Sequence, residues 1–216
     1  MTPPATTLPP MFLPGVEDNP QPSPYLDAIN SARAAGAEHW QIWSLLAFRP
    51  EAAMHLARFS HAIMHQPAPI SAALRELIAA YTSSINKCEF CMKAHAAVAA
   101  HLYEDEDFVW RVLRDPETAG LIEKEKALLR FVKQITLNPA SIMAADTVAV
   151  RSAGWEDDAI YYAITACALF NFYNRWISAS GVHPVSEEAF RRYSARMAAH
   201  GYIRDEPTAK QSEVQE

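Results

Sequence analysis

Apolar positions along the chain recur at helical spacing. Leu74, Leu77, Ile78 and Tyr81 fall at i, i+3, i+4 and i+7, the pattern of a stripe facing a core. Met54, Leu56, Phe59 and Ile63 mark an apolar side in one segment. Leu121, Ala127, Leu128, Phe131, Val132 and Ile135 repeat on one side of another. No stretch alternates with period two, and no Asn-Gly or Asp-Gly hairpin signal occurs. Breakers divide the pattern at Gly36, Arg49-Pro50, His65–Pro69, Asn86-Lys87, Asp115-Pro116, Asn138-Pro139, Gly154 and Gly181–Pro184. Ser71 is placed to cap the helix it precedes, and Glu156, Asp157 and Asp158 suit a helix start. The spacing predicts helices over 25–35, 38–48, 51–64, 71–86, 88–102, 106–114, 117–136, 141–152, 155–180 and 186–200. The fold class is all-α, with roughly eight to ten helices.

Composition sharpens the boundaries. Eight of the 15 prolines lie in the first 24 residues, and the chain has only six glycines, so everything after Pro24 is poor in breakers. Residues 1–23 therefore read as a Pro-rich extended arm without helix, either a disordered tail or a strap over a neighbouring subunit. Met11, Phe12, Leu13 and Val16 would make its contacts. Residues 24–200 form the helical domain, and 201–216 a polar C-terminal tail expected to fray. A net charge of −6 opposes nucleic-acid binding, which needs a basic face. The longest nearly apolar run, Ala159–Phe170, is too short to cross a membrane. With no visible signal peptide and three cysteines, the expectation is a cytoplasmic protein whose close cysteine pair is redox-active or metal-binding.

Chemistry concentrates in Glu76, Cys88, Cys91 and His95. Cys88-Glu89-Phe90-Cys91 is a C-x-x-C motif, and residues three apart share a helix face, so the two sulfurs can meet. Cys88 would sit in the first turn, where free peptide N–H groups favour a thiolate. His95 lies four residues after Cys91 on the same stripe, within reach of its sulfur. Glu76, on the preceding helix, faces that stripe if the two helices pack as a hairpin across Asn86-Lys87. Carboxylate, imidazole and thiol then stand in the order orienter, base and nucleophile. Zinc competes for any such pair, but a structural site wants four ligands and a second cysteine pair is missing. Buried inert thiols are the other alternative.

The spacing Glu-x11-Cys-x-x-Cys-x3-His, here Glu76, Cys88, Cys91 and His95, resembles the motif of AhpD-like alkylhydroperoxidases of the carboxymuconolactone decarboxylase superfamily. RELIAAYTSSINKCEFCMKAH is similar to that family's central helix pair. EKALLRFVKQITLNP, DTVAVRSAGWEDDAI and ACALFNFYNRWISASGV are similar to its second half, the nearest subgroup being the peroxidase-related enzymes. The resemblance spans about Trp40 to Val182. It implies a multi-helix fold with the C-x-x-C at the start of a helix in a central hairpin, assembled as a dimer, trimer or hexamer. It implies a thiol peroxidase that reduces hydroperoxides, with no bound cofactor and with an external dithiol, protein or small molecule, as reductant. Glu76 and His95 would be the proton relay, Cys91 the attacking sulfur and Cys88 the resolving one; the helix-start argument instead makes Cys88 the more acidic thiol. One departure is Phe90, which stands where studied members carry a second histidine.

Among other residues, Asn171, Asn174 and Arg175 read as partners for buried polar groups, Cys167 as an inert core thiol, and Tyr81 as core. Two rival functions remain: a lactone-decarboxylase-like lyase in which the thiols are incidental, and a non-catalytic redox-sensing module.

Overall fold

The computed structural model describes residues 8–204. These form eleven α-helices and one 3-10 turn, and no strand occurs among them. The helices are α1 (Pro14–Glu17), α2 (Pro24–Ala34), α3 (Ile42–Phe48), α4 (Pro50–Met64), α5 (Ala72–Ile85), α6 (Glu89–Tyr103), α7 (Glu106–Arg114), α8 (Glu123–Leu137), α9 (Ala144–Ser152), α10 (Asp157–Ser180) and α11 (Glu187–His200). The all-α expectation holds. Three helices, α3, α8 and α9, start later than the apolar spacing suggests, α9 following the 3-10 turn Pro139–Ser141. The segment before α3 turns so that the Gln41 side chain can donate to Pro9 O and accept from His183 N. The segment before α8 bends at Gly120, whose φ is +94°.

The α5–α6 hairpin is the centre of the domain. α10 lies along α5 and α8, α4 packs on α10, and α11 covers α6. Leu77, Ile78, Leu128, Leu129, Phe170 and Ile177 are fully buried where these helices meet. The hairpin turn is tight and specified residue by residue. Asn86 ends α5, Lys87 adopts a left-handed φ of +56°, and Cys88 N–H reaches back to Ser83 O at 3.0 Å while Lys87 N–H reaches Ser84 O at 3.1 Å. This is the six-to-one and five-to-two pattern of a Schellman stop. Cys88 is then also the N-cap of α6. One residue closes one helix and opens the next, which fixes the first cysteine in the bend.

Both ends correct the sequence reading. The described part of the Pro-rich arm, Leu8–Ser23, is neither wholly extended nor a free tail. It contains the turn α1, where Pro14 is at a first-turn position that has no need of its N–H. It lies on its own chain: Met11 is buried, Phe12 N–H donates to Ser180 O at 3.0 Å, and Gly181 at φ +74° leaves space for the Phe12 ring. At the other end, Gly201–Arg204 does not fray but returns as a short strap across the domain. The remainder of both terminal readings, 1–7 and 205–216, falls outside the described residues.

Candidate active site

Glu76 on α5 and His95 on α6 meet in the buried space between the two helices. His95 Nδ1 is 2.6 Å from Glu76 Oε2, and both side chains are almost wholly enclosed. A carboxylate facing Nδ1 makes that nitrogen the proton carrier and leaves Nε2 as the free base. The His95 ring stands edge-on to Phe170 at 4.3 Å, which fixes its plane.

One turn earlier on α6 the two thiols lie together, both reduced and both buried. They differ in acidity. Cys88 is lowered to about 6, first by the hydrogen bond from the Cys91 thiol, against the opposing effect of burial, and then by the Cys91 peptide N–H and by Ser178 and Asn174 on α10. Cys91 is pushed well above the usual thiol range by burial and by the neighbouring Cys88 sulfur. One negative charge therefore suffices for the pair at neutral pH, and it rests on Cys88. Asn174 is itself held by Ser83 and Asn86, its Nδ2 donating to Ser83 Oγ at 2.9 Å and its Oδ1 accepting from Asn86 Nδ2 at 2.9 Å. The expectation that Asn171 and Asn174 serve buried polar groups agrees with this network. Arg175 is exposed and donates to Asn171 O. Cys167 is buried against Thr136 and Val132 O, away from the pair, with its pKa raised by burial.

A cavity of about 80 Å³ adjoins this cluster. Cys91 and His95 line it; so do Trp40, Phe90, Tyr193 and Tyr202. It has room for a few water molecules, far less than the roughly 300–1,000 Å³ of a drug-sized pocket. Phe90 packs edge-on to Trp40 at 5.5 Å and belongs to this aromatic wall. Trp40 belongs to the same wall, and its buried Nε1 has no hydrogen-bond partner among the described residues. No hydrogen bond joins His95 to either sulfur among those residues; the base and Cys91 share the cavity instead. Nor does any cluster of three or more His, Cys, Asp and Glu there have the arrangement of a metal site, and no helix among the described residues is long and apolar enough to cross a membrane.

The carboxymuconolactone decarboxylase family model matches residues 50–134, from α4 to α8, which includes Glu76, Cys88, Cys91 and His95. An uncharacterized peroxidase-related protein from Silicibacter sp. TM1040 superposes with a TM-score of 0.70 at 26% identity, over 88% of this chain and 97% of its own. An alkylhydroperoxidase AhpD core protein, described as peroxidase-related, from Ralstonia eutropha JMP134 gives 0.69 at 22% identity, over 79% and 91%. Residues 50–134 thus resemble the carboxymuconolactone decarboxylase family, and the described residues have the AhpD-like fold. The AhpD-like fold is also shared by the debrominase Bmp8, solved with 2,3,4-tribromopyrrole, at a TM-score of 0.60 and 19% identity over 73% and 81%. No curated protein matches.

Within this AhpD-like frame the structure brings together all four residues singled out from the motif. It adds one that sequence reasoning placed in a fraying tail. Tyr202 Oη donates to Glu76 Oε1 at 2.8 Å and lies 3.4 Å from His95 Nδ1. No periodicity or motif marks Tyr202; the only signal was an aromatic residue directly after a glycine that ends the last helix.

Proposed function

We propose that the protein is a thiol-dependent peroxidase that reduces small hydroperoxides through Cys88 and Cys91, with Glu76 and His95 as the proton relay. The observation that carries the reading is the shared cavity of Cys91 and His95, backed by Glu76 and preceded by an acidic Cys88. Cys91 is too weakly acidic to ionise alone, so it needs a base, and His95 Nε2 is the free one. His95 takes the Cys91 proton. The thiolate attacks one peroxide oxygen, an S–O bond forms, the O–O bond breaks, and the leaving alkoxide takes the proton back from His95 as the alcohol. Cys91 is then a sulfenic acid. Cys88, already a thiolate, attacks the Cys91 sulfur; the disulfide forms and hydroxide leaves, taking a proton from solvent to become water. An external dithiol reduces the disulfide and is itself oxidised. This keeps Cys91 as attacker and reconciles it with the greater acidity of Cys88, since the resolving step needs a thiolate and no base.

A reducing compartment such as the cytoplasm suits the chemistry. Assembly of several copies belongs to the same proposal: Tyr161, Ile164 and Phe172 leave an exposed apolar stripe on α10 where a second copy would pack. The aromatic cavity wall of Trp40, Trp43, Phe90 and Tyr193 favours a second reading, thiol-dependent removal of halogen from a small aromatic ring.

The test treats reduced protein with one equivalent of a hydroperoxide and locates the product by mass spectrometry. Loss of two thiols as a Cys88–Cys91 disulfide, with one alcohol formed, supports the peroxidase. Untouched thiols would refute it, and halide release from a bromoaromatic by the same reduced protein would then select the second reading. A disulfide that no dithiol turns over would leave a sensor.

A further inference from the structure

The strap after α11 carries a hydroxyl into the relay. Gly201 has φ +69° and ψ −152°, a conformation that glycine alone adopts readily, and a Cβ there would run into the rings of His61 and His65. The close approach lets Tyr202 N–H donate to His61 Nδ1 at 3.3 Å. Arg196 Nη2 donates to Ile203 O at 3.1 Å, and the Arg204 guanidinium lies over the Trp43 ring at 4.3 Å. Gly201, Tyr202 and Arg204 all line the cavity of Cys91 and His95. The backbone of the strap is thus anchored on both sides of Tyr202, and its side chain has one place to go.

There it completes the carboxylate. Glu76 is 3% exposed, so each of its oxygens needs a donor within the protein. His95 Nδ1 serves Oε2 and Tyr202 Oη serves Oε1. Burial beside Glu76 pushes the Tyr202 phenol well above its ordinary range, so it remains a neutral donor at any working pH. With one donor removed, a buried carboxylate would either capture a proton, and cease to hold His95 Nδ1–H, or hold His95 in the charged form. Either change costs His95 its free basic Nε2.

We infer that Tyr202 is a positioning residue of the relay, whose hydroxyl holds Glu76 as a carboxylate while His95 stays a neutral Nδ1–H imidazole. It does not touch the reacting atoms; it acts through Glu76. Its place in the sequence makes the C-terminal strap part of the site: the same short segment lines the cavity and orients the base.

This inference rests on the Glu76–His95 pair being the base of the proposed reaction, but its test does not use turnover. Nitrogen NMR of histidine-labelled, reduced full-length protein reads the protonation of each His95 nitrogen directly. At neutral pH the wild-type ring is expected as the neutral Nδ1–H tautomer. In Tyr202→Phe, the ratio of that form to all others should fall about tenfold, the equilibrium equivalent of one charge-assisted hydrogen bond. Arg204→Ala weakens the strap but keeps the hydroxyl and should leave the tautomer as in wild type. Thermal unfolding of both variants measures any structural cost. An unchanged His95 spectrum in folded Tyr202→Phe would overturn the inference. So would an equal change in Arg204→Ala, which would assign the effect to strap docking rather than to the hydroxyl.

Discussion

His95 Nδ1 and Glu76 Oε2 are 2.6 Å apart, although nineteen residues separate them in sequence. The hairpin turn makes this possible, and the pair leaves a single basic nitrogen on the cavity side. Replacing His95 by Phe keeps a ring against Phe170 and removes the base. The rate of Cys91 oxidation by hydroperoxide is expected to fall about 10²- to 10⁴-fold, the usual contribution of a positioned general base. Stopped-flow measurement with excess peroxide checks it. A loss below threefold would mean that Cys91 ionises without His95.

The second relationship is between the thiols. Cys88 at about 6 and Cys91 well above the thiol range predict one thiolate per chain at pH 7. Ultraviolet thiolate absorbance of the reduced protein should titrate with a midpoint near 6, and this step should vanish in Cys88→Ser. In Cys91→Ala, which removes the thiol donor, the midpoint should move up. The sign for stability follows. The folded-state pKa of Cys88 is depressed below the unfolded value, so its contribution is full above the unfolded thiol range and is lost as pH falls through about 6. Denaturant unfolding of reduced wild type should therefore show stability rising between pH 6 and 8.5, and Cys88→Ser should flatten that rise.

Much of this site is legible in sequence because helices write their contacts locally. Cys88, Cys91 and His95 share one face of α6 by spacing alone. Glu76 follows from a single further assumption, that Asn86-Lys87 turns the chain back on itself. Tyr202 follows no such rule. It reaches Glu76 from 126 residues away through a strap whose path depends on a glycine conformation and on the His61 ring. The Pro-rich arm fails for the same reason. Its prolines exclude long helix, as the sequence says, but whether Met11 is buried depends on Gly181 and Ser180, more than 160 residues on. The late start of α3 likewise reflects Gln41 bridging two distant segments rather than any local propensity.

Lys87 offers a test of the hairpin independent of catalysis. Its φ of +56° is uncommon for a residue with a Cβ, and the Schellman bonds around it require that conformation. Lys87→Gly should relieve the left-handed cost and stabilise the reduced protein by about 0.5–1 kcal/mol. Lys87→Val, whose branched Cβ tolerates positive φ poorly, should destabilise it by about 1–2 kcal/mol. Thermal or denaturant unfolding measures both. The thiolate midpoint offers a second reading, since a loosened bend would shift Cys88 away from the Cys91 peptide N–H and move the midpoint up in Lys87→Val but not in Lys87→Gly.

The unmet Trp40 indole N–H leads to the last expectation. Trp40 is 5% exposed and lines the cavity, and a buried donor without a partner is costly unless a ligand or water meets it. A hydroperoxide brings oxygen acceptors into that space. Trp40→Phe removes the N–H and keeps an aromatic ring against Phe90, Phe190 and Tyr193. If the indole binds the peroxide equally before and during attack, KM should rise about 3- to 10-fold, corresponding to a net hydrogen bond of about 1 kcal/mol, with kcat unchanged. If it steadies the leaving oxygen as charge develops, kcat should fall instead with KM nearly constant. Steady-state kinetics with hydrogen peroxide and with a bulkier alkyl hydroperoxide separates the two. The smaller ring also enlarges the cavity, so only the bulkier substrate should gain from the extra space. Kinetics unchanged for both substrates would place the indole N–H outside the path of the peroxide.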